Sequence, residues 1–415
     1  MMWTRLTRRS LLITVIACLP ILYSCGSEQN RNTEEPKLLL ISIDGFHPDY
    51  FDNYETPNIN RLAETGVLAD FMIPVFPTKT FPNHYSIATG LYTENSGLIA
   101  NNMYDAEMDE YYSLGNREAV QDSRWYEGEP IWVTAEKQGL KTAPMFWPGS
   151  EAPIGGDHPT YWAPFNQELP YSARVDSVIH WLTMDQDTAP GFMTLYFSKV
   201  DTYGHRYGPE SDSVAAAVHE VDEQIGYLID ELGRTGQGEN LNMIIVSDHG
   251  MAEVSDERVI LLEQIINLES MEVIDWNPVA MINPEDWVDS ESIYEQLKSN
   301  EKNFRVYKKE DLPERYRFKN HPRVPEIILI ADLGYSITTS ERLAAYGISG
   351  GAHGYDNEHQ EMHSFYLANG PSFKQGKRTP GFQNIHLYEL MAHLLNLEPA
   401  PNDGSLDSLI HILQK

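Results

Sequence analysis

Six side chains that can bind metal ions are spread over four short segments of the sequence. Asp201 and His205 are four residues apart, which places a carboxylate and an imidazole on one face of a helical turn. Asp248 and His249 directly precede Gly250, which permits the sharp turn that two adjacent ligands need. Any one of them alone has an ordinary explanation, such as a helix cap or a turn. Together they match the ligands that zinc takes in proteins, and the full set is Asp44, Asp201, His205, Asp248, His249 and His353.

A threonine provides the reactive group that a metal centre could activate. Thr80 stands immediately before Phe81 and Pro82, and Pro82 is typical of the first turn of a helix. A hydroxyl at a helix N-terminus lies beside the positive end of the helix dipole, where backbone N–H groups suit phosphate oxygens. A free hydroxyl is a weak nucleophile that metal coordination would activate. The alternative is that Thr80 only caps the helix, as threonine often does.

Most of these ligands come directly after strand-like apolar runs, which gives a reason for them to meet. The predicted strands include residues 38–43, 141–145, 191–197 and 242–247. Asp44 follows the first, Asp201 the third and Asp248 the fourth. In open α/β sheets, ligands bind outside the carboxyl ends of the strands. The sequence therefore predicts a functional site at that edge of the sheet.

The alternation of these strands with helical stretches predicts an α/β fold with helices on both faces of the sheet. Residues 214–232 form an amphipathic pattern typical of a long helix. Between about residues 256 and 335 the composition becomes richer in Glu, Lys and Pro, and a separate strand-like run, EIILIA, occurs. We interpret this stretch as a small inserted αβ subdomain.

The composition narrows the possible functions. The chain has 415 residues, 41% of them hydrophobic and 11% aromatic, which excludes a disordered chain. Its formal net charge of -31 disfavours binding to duplex nucleic acid. The two cysteines, Cys18 and Cys25, both lie in the first segment. Cysteine nucleophiles and cysteine-ligated zinc are therefore excluded for the rest of the chain.

The first 25 residues have the pattern of an export signal. Three arginines precede an apolar run from Leu11 to Leu22, which is too short to span a bilayer. The residues around Cys25 resemble the lipobox of bacterial lipoproteins, so we expect a lipid anchor at Cys25 and a tether over residues 26–36. A lipobox at Cys18 and an ordinary cleaved signal are the alternatives. In either case we expect an exported protein, in the periplasm or anchored to the outer membrane.

The segment TKTFPNHYSIATGLYTENSGLIANNMYD resembles the nucleophile segment of the nucleotide pyrophosphatase/phosphodiesterase family of the alkaline phosphatase superfamily. The resemblance continues in order through FWPGSE, DTYGHRYGP, SDHGM, GAHGYDN and MHSFYLANGPSF, and it covers residues 37–404. It implies an alkaline-phosphatase-like, mostly parallel central sheet and a catalytic domain over residues 37–415. Larger animal members carry further cysteine-rich and nuclease-like domains, so the resemblance favours a stand-alone catalytic module of the bacterial type.

The resemblance also assigns roles to individual residues. It implies one zinc ion held by Asp201, His205 and His353. It implies a second zinc ion held by Asp44, Asp248, His249 and the Thr80 oxygen. Thr80 would be the nucleophile, and Asn101 a side-chain donor to a phosphoryl oxygen. The substrate base would stack on Phe81 and on a second aromatic residue, for which spacing favours Phe165, with Tyr161 and Trp162 as alternatives.

The implied function is hydrolysis of nucleotide phosphodiester and phosphoanhydride bonds, with two Zn²⁺ ions and a phosphothreonine intermediate. A glycerophosphodiesterase or a lysophospholipid phosphodiesterase acting on choline headgroups is the main alternative. A phosphate monoesterase would need basic residues around the phosphate. No Lys or Arg clearly occupies such a place, Lys79 and Lys141 being the remaining candidates, which favours diesters over monoesters. A lipid-anchored binding protein with a degenerate site would lack ligands that this sequence retains.

Overall fold

The computed structural model describes residues 37–414. The predicted export signal (residues 1–25), the lipid anchor at Cys25 and the tether (residues 26–36) lie outside the described residues and stay predictions. Within residues 37–414, no helix has the length and apolar character needed to cross a membrane.

The described residues form short strands and helices that alternate along the chain. The strands are β1 (Lys37–Ile43), β2 (Val67–Ala69), β3 (Met72–Ile73), β4 (Asn102–Asp105), β5 (Glu110–Ser113), β6 (Thr142–Pro144), β7 (Phe192–Phe197), β8 (Leu241–Val246), β9 (Ala252–Glu253), β10 (Val259–Leu261), β11 (Met271–Asp275), β12 (Val279–Pro284), β13 (Phe304–Lys308), β14 (Ile327–Ala331), β15 (Ser336–Thr338), β16 (Gly351–Ala352), β17 (Tyr366–Asn369), β18 (Lys377–Thr379) and β19 (Phe382–Gln383). The α-helices are α1 (Pro48–Asn53), α2 (Pro57–Thr65), α3 (Thr80–Thr89), α4 (Thr93–Ser96), α5 (Arg117–Val120), α6 (Ile131–Lys137), α7 (Tyr171–Leu182), α8 (Lys199–Tyr207), α9 (Asp212–Thr235), α10 (Ser290–Ser299), α11 (Ser340–Tyr346) and α12 (His386–Leu394).

Seven strands form the central sheet, in the order β18-β2-β17-β8-β1-β7-β6. The neighbours β8, β1, β7 and β6 run parallel, whereas β17 is antiparallel to both β8 and β2. In register, Ser42 of β1 lies opposite Tyr196 of β7 and Val246 of β8. The carboxyl ends of these three central strands therefore meet at one edge of the sheet.

Both faces of the sheet are covered, which explains why β1 is an uninterrupted apolar run. Leu38 and Leu40 pack into one core cluster, with side chains of α3, α6 and α12. Leu39 and Ile41 pack into a second cluster on the opposite face, with side chains of α2, α7 and α9. Alternate residues of a strand point to opposite faces, so this pattern requires helices on both sides.

A separate four-stranded antiparallel sheet, in the order β11-β12-β14-β13, lies between β8 and β17 in the chain. Its strands and α10 contribute to a third core cluster, which includes Ile282, Leu297 and Leu329. The strand-like run EIILIA corresponds to β14. The sheet lies within the stretch expected to be an insertion, whose boundaries at residues 256 and 335 stay a prediction.

Candidate active site

Three carboxylates gather at the carboxyl edge of the central sheet. Asp44 directly follows β1, Asp248 follows β8 by two residues, and Asp201 lies in the first turn of α8, just after β7. The Asp201 N–H donates to the Asp44 carbonyl at 3.0 Å. Gly45, the residue after Asp44, packs directly against Asp201. Its φ is +68°, and a Cβ at this position would lie 2.9 Å from the Asp201 Cα. Glycine therefore permits both the turn and this close approach.

One group of possible ligands consists of Asp201, His205 and His353, whose ligand atoms all lie within 4.8 Å of one another. The Asp201 Oδ1 lies 3.3 Å from the His205 Nε2 and 3.6 Å from the His353 Nε2. Helix α8 places Asp201 and His205 one turn apart, as their spacing predicts. His353 comes from the loop after β16, so the structure brings together side chains separated by about 150 positions.

Backbone carbonyls orient the three histidines. The Nδ1 atoms of His205, His249 and His353 lie 2.8–2.9 Å from the carbonyl oxygens of Gly351, Gly250 and Thr78, respectively. A carbonyl oxygen only accepts, so each Nδ1 donates, and the neutral ring presents its Nε2 lone pair to the cluster. The Nε2 atoms of His205 and His353 are 3.1 Å apart. Two lone pairs at this distance fit a cation bound between them.

Asp44 belongs to two further groups of possible ligands, one with His84 and Asp248 and one with Asp201 and His249. Within each group the ligand atoms all lie within 4.8 Å of one another. The His249 Nε2 lies 2.9 Å from the Asp248 Oδ2 and 3.5 Å from the Asp44 Oδ1. Among the described residues, the buried oxygens Asp44 Oδ1, Asp201 Oδ1 and Asp248 Oδ2 have no hydrogen-bond donor. Buried carboxylate oxygens without donors are costly, so the residues present fit bound cations.

The pKa values of these groups reflect the crowding of negative charge. Burial, together with the charges of Asp248 and Asp201, raises the pKa of Asp44 well above its usual value. Burial acts in the same direction on Asp248, but the charges of His249 and His84 outweigh it and hold the pKa of Asp248 well below its usual value. Burial and the neighbouring histidines lower the pKa of His353 well below its usual value. His353 is therefore neutral near pH 7, the form that binds metal.

Thr80 begins α3 and faces this cluster. The N-cap position is taken by Lys79, whose side chain makes no capping bond, and Thr80 is the first helical residue. The Thr80 Oγ1 lies 3.2 Å from the His249 Nε2. The hydroxyl thus contacts a possible metal ligand at the positive end of a ten-residue helix, rather than serving as the helix cap.

Asn101 lies beside the start of the same helix. The Phe81 N–H donates to the Asn101 Oδ1 at 3.1 Å. Because a backbone N–H can only donate, the amide orientation of Asn101 is fixed and its NH₂ group points elsewhere. Asn101, His205 and His353 line a cavity of about 580 Å³. The arrangement suits Asn101 as a donor to a bound oxyanion.

Phe81 and Phe165, the two aromatic residues expected to stack on the substrate base, contact different side chains. The Phe81 ring lies 6.2 Å from that of Tyr112. The Phe165 N–H donates to the buried Glu151 Oε1 at 3.0 Å, and the Phe165 ring lies 6.1 Å from that of Tyr196, which contacts Asp44.

The two alternative aromatic residues contact other parts of the protein. The Tyr161 hydroxyl donates to the Thr188 carbonyl, and its ring stacks on Trp181. Trp162 stacks on His158 with ring centroids 3.9 Å apart. A base-stacking role for any of these rings stays a prediction.

Two residues of the site were absent from the sequence predictions. Tyr196 donates from its hydroxyl to the Asp44 Oδ2 at 2.5 Å. His84 is fully buried, its Nδ1 lies 2.9 Å from the Thr80 carbonyl and 3.3 Å from the Asp248 Oδ2, and its Nε2 lies 2.8 Å from the Ser42 Oγ. Because its Nδ1 donates to the Thr80 carbonyl and its Nε2 bonds with the Ser42 hydroxyl, His84 links the start of α3 to β1. Its position one helical turn after Thr80 was the signal available in the sequence.

Comparison with known families gives a match over most of the chain. Residues 38–356 match the family model described as type I phosphodiesterase / nucleotide pyrophosphatase. A bis(5'-adenosyl)-triphosphatase, enpp4, of Xenopus laevis is 36% identical over 402 residues, which are 96% of this chain and 86% of that protein. Venom phosphodiesterase 2 of Crotalus adamanteus is 39% identical over 391 residues, but the match spans only 48% of its length.

Solved structures with the same fold include murine ectonucleotide pyrophosphatase / phosphodiesterase 5. An inactive variant of that protein, in which a threonine is replaced by alanine, was solved in complex with AMP. It superposes with a TM-score of 0.87 at 36% identity and covers 92% of this chain and all of that chain. The predicted alkaline-phosphatase-like α/β fold is thereby confirmed.

Proposed function

The chain belongs to the type I phosphodiesterase / nucleotide pyrophosphatase family, and from that premise we propose that it is a zinc-dependent hydrolase of nucleotide phosphodiester and phosphoanhydride bonds. In this proposal Thr80 is the nucleophile and a phosphothreonine is the intermediate. The observation that carries the proposal is the position of the Thr80 hydroxyl, 3.2 Å from the His249 Nε2. The same nitrogen lies 2.9 Å from the Asp248 Oδ2 and 3.5 Å from the Asp44 Oδ1.

We propose two metal positions, of which the first is one of the ligand groups described above and the second joins side chains of the groups around Asp44. Asp201, His205 and His353 would hold one zinc ion, and Asp44, Asp248 and His249, with the Thr80 oxygen, would hold the other. Zinc bound there would supply positive charge and Lewis acidity to the hydroxyl and to the phosphoryl oxygens. Ligand types and orientation support this assignment, since all three imidazoles direct Nε2 into the cluster.

The reaction then proceeds in two displacements at phosphorus. In the first, the Thr80 oxygen loses its proton and bonds to phosphorus as the bond to the leaving oxygen breaks, and the leaving group takes up a proton. In the second, a water oxygen bonds to phosphorus and the bond to Thr80 breaks, which restores the hydroxyl. The Asn101 NH₂ group donates to a non-bridging oxygen, which carries more charge in each transition state.

A nucleotide substrate is favoured by the related proteins. One relative is named a bis(5'-adenosyl)-triphosphatase, and a related structure contains AMP. The inactive protein in that structure has alanine in place of a threonine. Loss of activity on this replacement is what a threonine nucleophile predicts. In this chain, Phe81 and Phe165 are the rings that we propose to stack on the base.

The experiment compares wild type, Thr80→Ala and Thr80→Ser with p-nitrophenyl thymidine monophosphate, diadenosine triphosphate and glycerophosphocholine as substrates. We expect Thr80→Ala to fold and to bind zinc, but to lose turnover by more than the ~10²–10³ typical of losing one transition-state donor, while Thr80→Ser retains measurable activity. Wild-type turnover by Thr80→Ala would refute the nucleophile. A preference for glycerophosphocholine over both nucleotides would instead support the lipid-diesterase alternative.

A further inference from the structure

A buried ion pair lies in the wall of the cavity that contains the proposed site. The Lys79 ammonium, one residue before the nucleophile, contacts the Asp275 carboxylate at the end of β11. Their side chains are only 6% and 8% exposed, yet both residues line the cavity of about 580 Å³ with Asn101, His205 and His353. Neither residue is needed to explain metal binding or the attack on phosphorus.

Asp275 is held in place by two further donors. Its Oδ1 accepts from the Trp276 N–H at 2.9 Å and from the Asn102 Nδ2 at 3.2 Å, while its Oδ2 faces Lys79. Asn102 adjoins the proposed oxyanion donor Asn101. The ammonium is therefore retained at a carboxylate of fixed position, and its charge is balanced before any substrate enters.

Lys141, the other basic residue considered as a phosphate ligand, lies outside this cavity. The Lys141 Nζ donates to the Asp187 carbonyl at 2.9 Å in an exposed contact, and Lys141 does not line the cavity. A phosphate monoester carries one more negative charge than a diester, and a site that accepts it needs an uncompensated cation. Two permanent cations line this cavity among the described residues, Lys79 and Arg206. The Arg206 guanidinium lies 5.7 Å from the centroid of the Tyr207 ring, whereas Lys79 adjoins Thr80 and is neutralised by Asp275.

We propose that Asp275 is a specificity-determining residue, which sequesters the Lys79 ammonium and thereby disfavours phosphate monoesters relative to diesters. This inference rests on the proposed phosphodiesterase function and deepens it. The relevant quantity is the ratio of kcat/KM for a monoester to kcat/KM for a diester, since uniform losses of activity cancel in it.

Three variants change the net charge of the pair in steps. Asp275→Asn keeps an oxygen that accepts from Trp276 and Asn102, but it presents an NH₂ group to Lys79. Because an NH₂ group cannot accept a hydrogen bond from the ammonium, we expect the ammonium to turn towards the cavity. Lys79→Met leaves an unbalanced carboxylate. The double variant, Lys79→Met with Asp275→Asn, is neutral like the wild type.

The test measures p-nitrophenyl phosphate against p-nitrophenyl thymidine monophosphate with the zinc-loaded protein. We expect the monoester-to-diester ratio to rise by at least on the order of tenfold in Asp275→Asn, to fall in Lys79→Met, and to return to the wild-type value in the double variant. At an effective dielectric constant of about 20, one unit charge within ~10 Å of the extra phosphate charge implies a factor of this size. Asp105→Asn is the matched control, because it also removes a carboxylate from a largely buried ion pair, with Arg323, but does not line the cavity.

Calorimetric binding of inorganic phosphate gives a readout that does not depend on turnover. Its affinity should be highest in Asp275→Asn and lowest in Lys79→Met. A ratio in Asp275→Asn within twofold of wild type, or a double variant that keeps the shift, would overturn the inference. A wild-type protein without diesterase activity would instead overturn the proposed function, and the order of phosphate affinities would still test the role of Asp275.

Discussion

Replacing Asn101 separates its two hydrogen-bonding roles. The Asn101 Oδ1 accepts the Phe81 N–H at 3.1 Å, which directs the NH₂ group away from that bond. Asn101→Asp keeps an acceptor for Phe81 and replaces the donor with a second carboxylate oxygen. Asn101→Ala removes both the acceptor and the donor but adds no charge. If Asn101 served only to position α3, aspartate would be the milder change.

We expect the opposite order, because the Asn101 NH₂ group is proposed to donate to a phosphoryl oxygen. Loss of one oxyanion donor costs about 3–4 kcal/mol, a factor of roughly 10²–10³ in rate, and this cost applies to both variants. Asn101→Asp adds a negative charge beside a phosphoryl oxygen, and at an effective dielectric constant of about 20 two like unit charges ~4 Å apart repel each other by ~4 kcal/mol. Asn101→Asp should therefore be slower than Asn101→Ala by well over tenfold.

The assay is kcat/KM for p-nitrophenyl thymidine monophosphate, with zinc content and the unfolding midpoint measured for each variant. Equal zinc content would show that the difference arises at the substrate oxygen rather than in metal binding. Activity of Asn101→Asp equal to or above that of Asn101→Ala would refute the donor role and leave Asn101 as a support for α3.

Three further predictions concern the metal ligands and the fold. Tyr196→Phe removes the donor to Asp44 and should weaken zinc binding by about 10–100-fold, measured by competition with a chelator. In the metal-free protein, burial acts to lower the pKa of His249, but the charge of Asp248 outweighs burial and raises this pKa. Protons should therefore displace zinc as pH falls. Zinc retention on dialysis that is unchanged down to about pH 5 would contradict this. Asp105→Asn leaves Arg323 without its carboxylate and should lower the free energy of unfolding by about 3 kcal/mol in urea titration. Burial acts to raise the pKa of Asp105, but the hydrogen bond from Arg323 outweighs burial and lowers it. The stabilisation by the Asp105–Arg323 pair is therefore present above the ordinary aspartate pKa and should be lost as pH falls through the lowered pKa.

Site residues that come just after a strand could be predicted from the sequence. Asp44 and Asp248 were predictable because each ends an apolar run that is buried on both faces of the sheet. The predicted helix over residues 214–232 lies within α9, and its buried side chains have the predicted period. Single strands and helices of this kind are defined by local patterns, and the parallel arrangement then brings their ends together.

Contacts between distant segments could not be predicted in the same way. Tyr196 lies inside β7, where an aromatic residue reads as core, and nothing local distinguishes its hydroxyl as a donor to Asp44. Lys79 and Asp275 are 196 positions apart and meet only because β11 packs near the start of α3. Such pairs depend on how the second sheet contacts the first, which periodicity does not encode.

The most direct measurement is the metal content of the purified, dialysed protein by inductively coupled plasma mass spectrometry, for wild type and for a variant with both His205 and His353 replaced by alanine. We expect two zinc ions per polypeptide in the wild type and one in the double variant, with the remaining ion held by Asp44, Asp248 and His249. A wild-type protein that binds no transition metal, or a double variant that retains both ions, would contradict it.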